Sequence, residues 1–205
     1  SPSLTRQSLL ARLRDWQDQA GWREFFDTYW RLIYNVARKS GLDDQEAQEV
    51  VQNTFIYLSR RMTRFHYDRT RGSFKSWLRV VTRSRISVYR RSIEGRGGPV
   101  HRPMPPADGE AIDPIEEVAD PAGDALDEVW RREWEENLLN AALQRVRARV
   151  SSRQLLVFRL ATLGELPLAQ VAKKLHMSLP QVYLTRHRVG KMLKAEVLRL
   201  RSETE

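Results

Sequence analysis

An all-α chain of two small helical domains, joined by a flexible acidic proline-rich linker and with a helix-turn-helix in the second domain, is predicted by three features of this 205-residue sequence. Apolar residues recur at three- and four-residue intervals on both sides of a single interruption. That interruption, residues 99–125, holds six of the nine prolines and no periodic run. Near the far end, Leu166 to Lys194 (LPLAQVAKKLHMSLPQVYLTRHRVGKMLK) has the offsets of two helices packed across a tight turn. The expected division is residues 1–98, a linker over 99–125 and residues 126–205, each half large enough for a modest core.

Leu4 to Trp16 is a short amphipathic candidate. Trp22, Phe25, Phe26, Tyr29, Trp30, Ile33, Tyr34 and Ala37 mark a second helix, read as mostly core, with Gly41 where a C-terminal cap belongs. Asp43-Asp44-Gln45-Glu46 supplies a cap and box for a third helix, whose inner stripe is Ala47, Val50, Val51, Thr54, Phe55 and Leu58. Glu49, Gln52, Asn53 and Ile56 fall on its other side. On periodicity alone a single exposed isoleucine is ordinary surface.

Met62 to Phe74 (MTRFHYDRTRGSF) is a loop in which Phe65, His66, Tyr67, Arg69 and Arg71 interleave aromatic and basic side chains, a mixture suited to single-stranded nucleic acid. An equal alternative is that Phe65 and Tyr67 tuck back into the core. Ser73 then caps a helix packed through Trp77, Leu78, Val81 and Val88, with Arg79, Arg83 and Arg90 in one outer line and Arg85 and Arg91 nearby.

In the C-terminal unit, Ala172, His176 and Val182 take the offsets of a small residue, a positive-φ turn and a closing apolar residue. Ser178, Pro180 and Gln181 supply a helix start. Val182, Thr185, Val189, Met192 and Leu193 should pack inward, leaving Gln181, Leu184, His187, Arg188 and Lys191 outward with Tyr183 and Arg186 on the flank. Such a face suits a DNA groove, the uncharged Leu184 meeting a thymine methyl. A solvated basic face on a helical hairpin is the plainer alternative.

Charge points the same way. Lys+Arg number 35 against 26 Asp+Glu, and the three segments carry +9, −6 and +6, so two basic halves flank an acidic strip. The absence of cysteine excludes disulfides and thiolate-ligated zinc. Neither a bilayer-spanning apolar run nor a signal-peptide core is present, so membrane insertion is not expected and a cytoplasmic location is. His66, His101, His176 and His187 are scattered, so neither catalytic residues nor a metal or other cofactor is expected.

Residues 22–92 and 138–198 together resemble the extracytoplasmic-function group of bacterial RNA polymerase sigma factors. AQEVVQNTFIYL, Ala47 to Leu58, is similar to the family's polymerase-binding stretch, with Glu49 and Asn53 in place of the usual aspartate and glutamate. FHYDRTRGSFKSWL, Phe65 to Leu78, is similar to its phrase of an aromatic, an Asp-x-x-x-x-Gly turn and Ser-Phe-x-x-Trp-Leu. Arg83 and Ser87 stand where asparagine and aspartate are common, and His176 replaces the usual turn glycine.

The resemblance implies that Glu49, Gln52, Asn53 and Ile56 bind core RNA polymerase, which gives the exposed isoleucine a purpose. It implies that Phe65, His66, Tyr67, Arg69, Arg71, Arg79, Arg83 and Arg90 open and hold the single-stranded −10 element of promoter DNA. It further implies that Gln181, Tyr183, Leu184, Arg186, His187, Arg188 and Lys191 read the −35 element as duplex. The linker would lie in the polymerase channel that later holds RNA. Control by an anti-sigma factor is common in the family, and no residue identifies one. Two rivals remain: a conventional regulator that binds its operator tightly without polymerase, and a nucleic-acid enzyme.

Overall fold

The computed structural model describes residues 9–62, 73–94, 123–162, 164 and 166–204. Every regular element among them is a helix: α1 (Leu9–Arg12), α2 (Gln19–Lys39), α3 (Asp44–Met62), α4 (Phe74–Glu94), α5 (Gly123–Arg147), α6 (Ser152–Thr162), α7 (Leu168–Leu175) and α8 (Leu179–Thr204). The described residues fall into two compact units, those up to 137 together with 204, and those from 138 to 203.

Local chemistry sets the ends of the helices in the first unit. Asp18 caps α2 by accepting from the Gly21 N–H at 2.8 Å, and the Arg12 guanidinium, 2.8 Å away, holds that carboxyl below its ordinary pKa. A Cβ on Gly21 would lie 3.0 Å from the Asp18 carboxylate, so a larger residue there would push that side chain back by a few tenths of an ångström. At the other end Gly41 takes φ 99°, and the Gly41 and Leu42 N–H groups donate to the carbonyls of Arg38 and Ala37, closing a Schellman turn. The box at α3 is reciprocal: Glu46 N–H donates to Asp43 at 2.8 Å, and Asp43 N–H donates to Glu46 at 2.7 Å.

The core of this unit is aromatic. Phe25, fully buried, meets Tyr29, Phe55 and Phe74 at centroid distances of 4.9, 5.8 and 5.9 Å. Burying such a side chain contributes about 1.5–3 kcal/mol. Phe74, grouped with the preceding loop in the sequence reading, is fully buried at the start of α4. Trp77 and Val88, expected to pack inward, are half-buried, while Ile86 and Tyr89 are buried.

Residues 126–137 differ from the expected division, which puts them in the second domain. They pack with the first unit because Trp130 and Trp134 bury their rings there. Of the expected linker, residues 99–122 lie outside the described residues, and residues 123–125 already belong to α5.

In the second unit, Val157, Val171, Ala172 and Val182 form one apolar cluster, and Val146, Phe158 and Val189 another. Ala172 is small enough to let α8 pack close to α7. The turn between them runs through His176, at φ 50° and ψ 51°, and Met177 N–H donates to the Ala172 carbonyl at 3.0 Å. A left-handed non-glycine residue costs about 1–2 kcal/mol, met here by the apolar closure on both sides. Ser178 and Gln181 exchange capping bonds at 3.1 and 3.4 Å, and Ser151 and Gln154 do the same before α6. Glu196, buried, accepts from Arg145 at 3.2 Å and pairs also with Arg149 and Arg199.

Candidate functional site

Two rows of side chains run down α2 four residues apart. Phe25, Tyr29, Ile33 and Ala37 are core. Trp22, Phe26, Trp30 and Tyr34 are not, although the sequence reading places them there too: Phe26 is 42% exposed and the other three are half-buried. With Val51, Gln52, Phe55 and Ile56 of α3 they line an open groove of about 1050 Å³. The aromatic stripe is too wide for one helix face to bury, and this row is the excess.

The groove has an apolar floor and a polar rim. Phe26 leans on Phe55 at 4.7 Å, and Arg31 lies over the Trp30 ring at 5.2 Å. The Tyr34 hydroxyl donates to Asp44, which pushes the phenol pKa up. Gln52 and Ile56 are exposed beside this floor. Asn53 is half-buried and donates to the Glu49 carbonyl at 2.9 Å. Glu49 turns toward Tyr89 of α4, whose pKa is pushed up to about 12, by burial first and then by the Glu49 charge. Of the four side chains predicted for this face, two therefore share the groove and Glu49 faces α4.

On α4 the predicted basic line is partly occupied. Arg79 pairs with Asp127 of α5 at 3.1 Å, and Arg90 donates to the Ser40 carbonyl. Arg83 is half-buried. Phe65, His66, Tyr67, Arg69 and Arg71 lie outside the described residues.

The outer face of α8 is open. Gln181, Tyr183, Leu184, Arg186, His187, Arg188 and Lys191 are all exposed, and Tyr183 stacks on His187 with planes 10° from parallel. Leu184 is 63% exposed, an apolar tip among donors and cations. Opposite it Val182 and Val189 are buried, while Thr185, Met192 and Leu193 are half-buried. The face can meet a polyanion with donors, cations and one apolar contact.

Among the described residues no cluster of His, Cys, Asp or Glu could hold a metal ion, and no helix is long and apolar enough to cross a membrane. Residues 25–96 match the family model described as Sigma-70 region 2. No curated protein matches the chain.

Proposed function

We propose that the chain is a sigma-70 family factor, a transcription initiation factor of the extracytoplasmic-function group that recruits core RNA polymerase and opens promoter DNA, a reading supported by the match of residues 25–96 to Sigma-70 region 2. The observation that carries this reading is that a basic α4 and, apart from Trp22, the lining of an aromatic groove lie within the matched segment, while a separate unit presents the open α8 face.

The groove between α2 and α3 takes the polymerase, with Ile56 and Gln52 at its edge and Phe26 and Trp30 as apolar anchors. Glu49 and Asn53 support that surface from α3. The region from Phe65 to Arg71 and the outer side of α4 hold the −10 bases after they leave the duplex. Their binding energy offsets part of the cost of unpairing. Helix α8 enters the −35 major groove through Gln181, Leu184, His187, Arg188 and Lys191, with Tyr183 and Arg186 on phosphates. The acidic linker follows the channel that RNA later fills. The protein does no chemistry of its own and acts in the cytoplasm.

Run-off transcription with core polymerase, followed by sequencing of the 5′ ends, tests this. Transcripts that begin downstream of one shared bipartite sequence, dependent on this chain, are expected. Tight operator binding by the chain alone with no transcript would instead make it a conventional regulator.

A further inference from the structure

Two guanidinium groups converge on one ring where α3 meets α4. The Cζ of Arg85 lies 4.5 Å from the Tyr57 centroid, and that of Arg61, one turn further along α3, lies 5.6 Å from it. Tyr57 is buried, so its ring serves the two cations and is not a stacking platform for a base. Among the described residues, the charged or titratable neighbours that act on Arg85 are Tyr57 and Arg61, neither a carboxylate.

Such an arrangement is costly as it stands. Among the described residues Arg85 Nε is buried with no hydrogen-bond partner. Its pKa is lowered, by desolvation foremost, opposed by Tyr57 and reinforced by the Arg61 charge. A buried donor without an acceptor and two like charges on one ring are both relieved by an anion that accepts from both guanidiniums. The forked donors of arginine match the paired oxygens of a phosphate. Elsewhere on α4, Arg79 and Arg90 are held by Asp127 and by the Ser40 carbonyl.

We propose that Arg61 and Arg85, held over Tyr57, form a binding site for a backbone phosphodiester of nucleic acid. It rests on the sigma-factor reading, in which promoter DNA beside α4 supplies the phosphate. The site fixes the strand without reading its sequence.

The test uses holoenzyme assembled from the full chain and core polymerase, with the promoter recovered by run-off mapping offered as duplex and as non-template single strand. Losing the one phosphate contact in Arg61→Gln/Arg85→Gln is expected to flatten the log–log salt dependence of affinity by about 0.7 on the single strand, or by about 0.9 on the duplex. The probe whose slope changes identifies the source of the phosphate. Arg85→Lys, which keeps the charge, should retain most of the slope. A methylphosphonate scan of the same DNA should find one neutralised phosphate that weakens wild-type binding and leaves the double variant unaffected, a result read on the unaltered protein. Equal slopes on both probes, or no phosphate that distinguishes wild type from variant, would overturn the site alone. Failure of the wild-type chain to bind core polymerase would overturn the sigma-factor reading and the site with it.

Discussion

Trp134 stacks on Tyr29 with ring centroids 5.9 Å apart and planes 21° from parallel, so a side chain late in the sequence completes the core of the first unit. Trp130 stacks on Trp134 in turn at 5.8 Å, and Lys75 Nζ lies 5.7 Å from the Trp134 centroid. Glu133, next to Trp134 in the chain, is buried, accepts from Asn35 at 2.8 Å and pairs with Lys39. Acidic side chains of α5 also meet basic ones of α4, Asp127 on Arg79 at 3.1 Å and Glu135 on Lys75 at 3.9 Å.

The rings should dominate the energetics of this contact. Trp134→Ala removes a fully buried indole and is expected to cost about 3–5 kcal/mol. Asp127→Asn breaks a pair whose partners are 41% and 33% exposed, and should cost under about 1 kcal/mol. Urea unfolding of the two variants followed by far-ultraviolet dichroism checks the ranking. A larger loss for Asp127→Asn would show that charge, not packing, holds α5 in place.

The contrast between Trp134 and His176 shows what the sequence makes legible. The boxes at Asp43 and Ser178, the Gly41 terminator and the left-handed His176 each depend on a few neighbouring residues, and spacing reveals them. The docking of Trp134 depends on residues roughly a hundred positions away, which periodicity does not register. The same limit hides the pairing of Arg79 with Asp127 and the turn of Glu49 toward Tyr89. The groove on α2 was open to a closer reading: Trp22, Phe26, Trp30 and Tyr34 form their own row at four-residue spacing, separate from Phe25, Tyr29 and Ile33.

Glycine suits the turn position of His176 better than histidine does. At φ 50° a Cβ is strained, so His176→Gly should raise stability by up to about 1 kcal/mol, while β-branched His176→Val should lower it by at least about 1 kcal/mol. Thermal unfolding of the full chain measures both. Equal midpoints for the two variants would mean that the turn relaxes away from the left-handed conformation.

Acid should act on the second unit through Glu196. Burial pushes this carboxyl up, but hydrogen bonds from Arg199 and Arg145 more than offset burial and hold its pKa below the ordinary 4.5. A carboxylate lowered in the folded state binds fewer protons there than in the unfolded chain. Its stabilisation is thus present above pH 4.5 and is lost as pH falls through the lowered value. Glu196→Gln removes that titration, so its stability should fall less steeply than wild type below pH 4.5 while being lower at pH 7. Parallel acid limbs in the two unfolding profiles would assign the acid sensitivity to other carboxylates.

Binding to polymerase and reading of duplex DNA should fail separately, because the groove and the α8 face belong to different units. Ile56→Arg with Gln52→Ala places a charge at the edge of an apolar groove, where a partner's burial would leave it unpaired. The pair should weaken association with core polymerase by at least about tenfold, or about 1.4 kcal/mol. Both side chains are exposed, so the thermal midpoint should hardly move. Arg188→Ala and Lys191→Ala should leave that association unchanged. Each should instead cost about 1–3 kcal/mol of promoter affinity where the side chain reaches a base edge, and less where it meets only phosphate. Pull-down of core polymerase and footprinting of the −35 region separate the two classes. If the groove variant loses stability, Ile56 supports the fold; if it keeps full polymerase binding, the groove serves another partner.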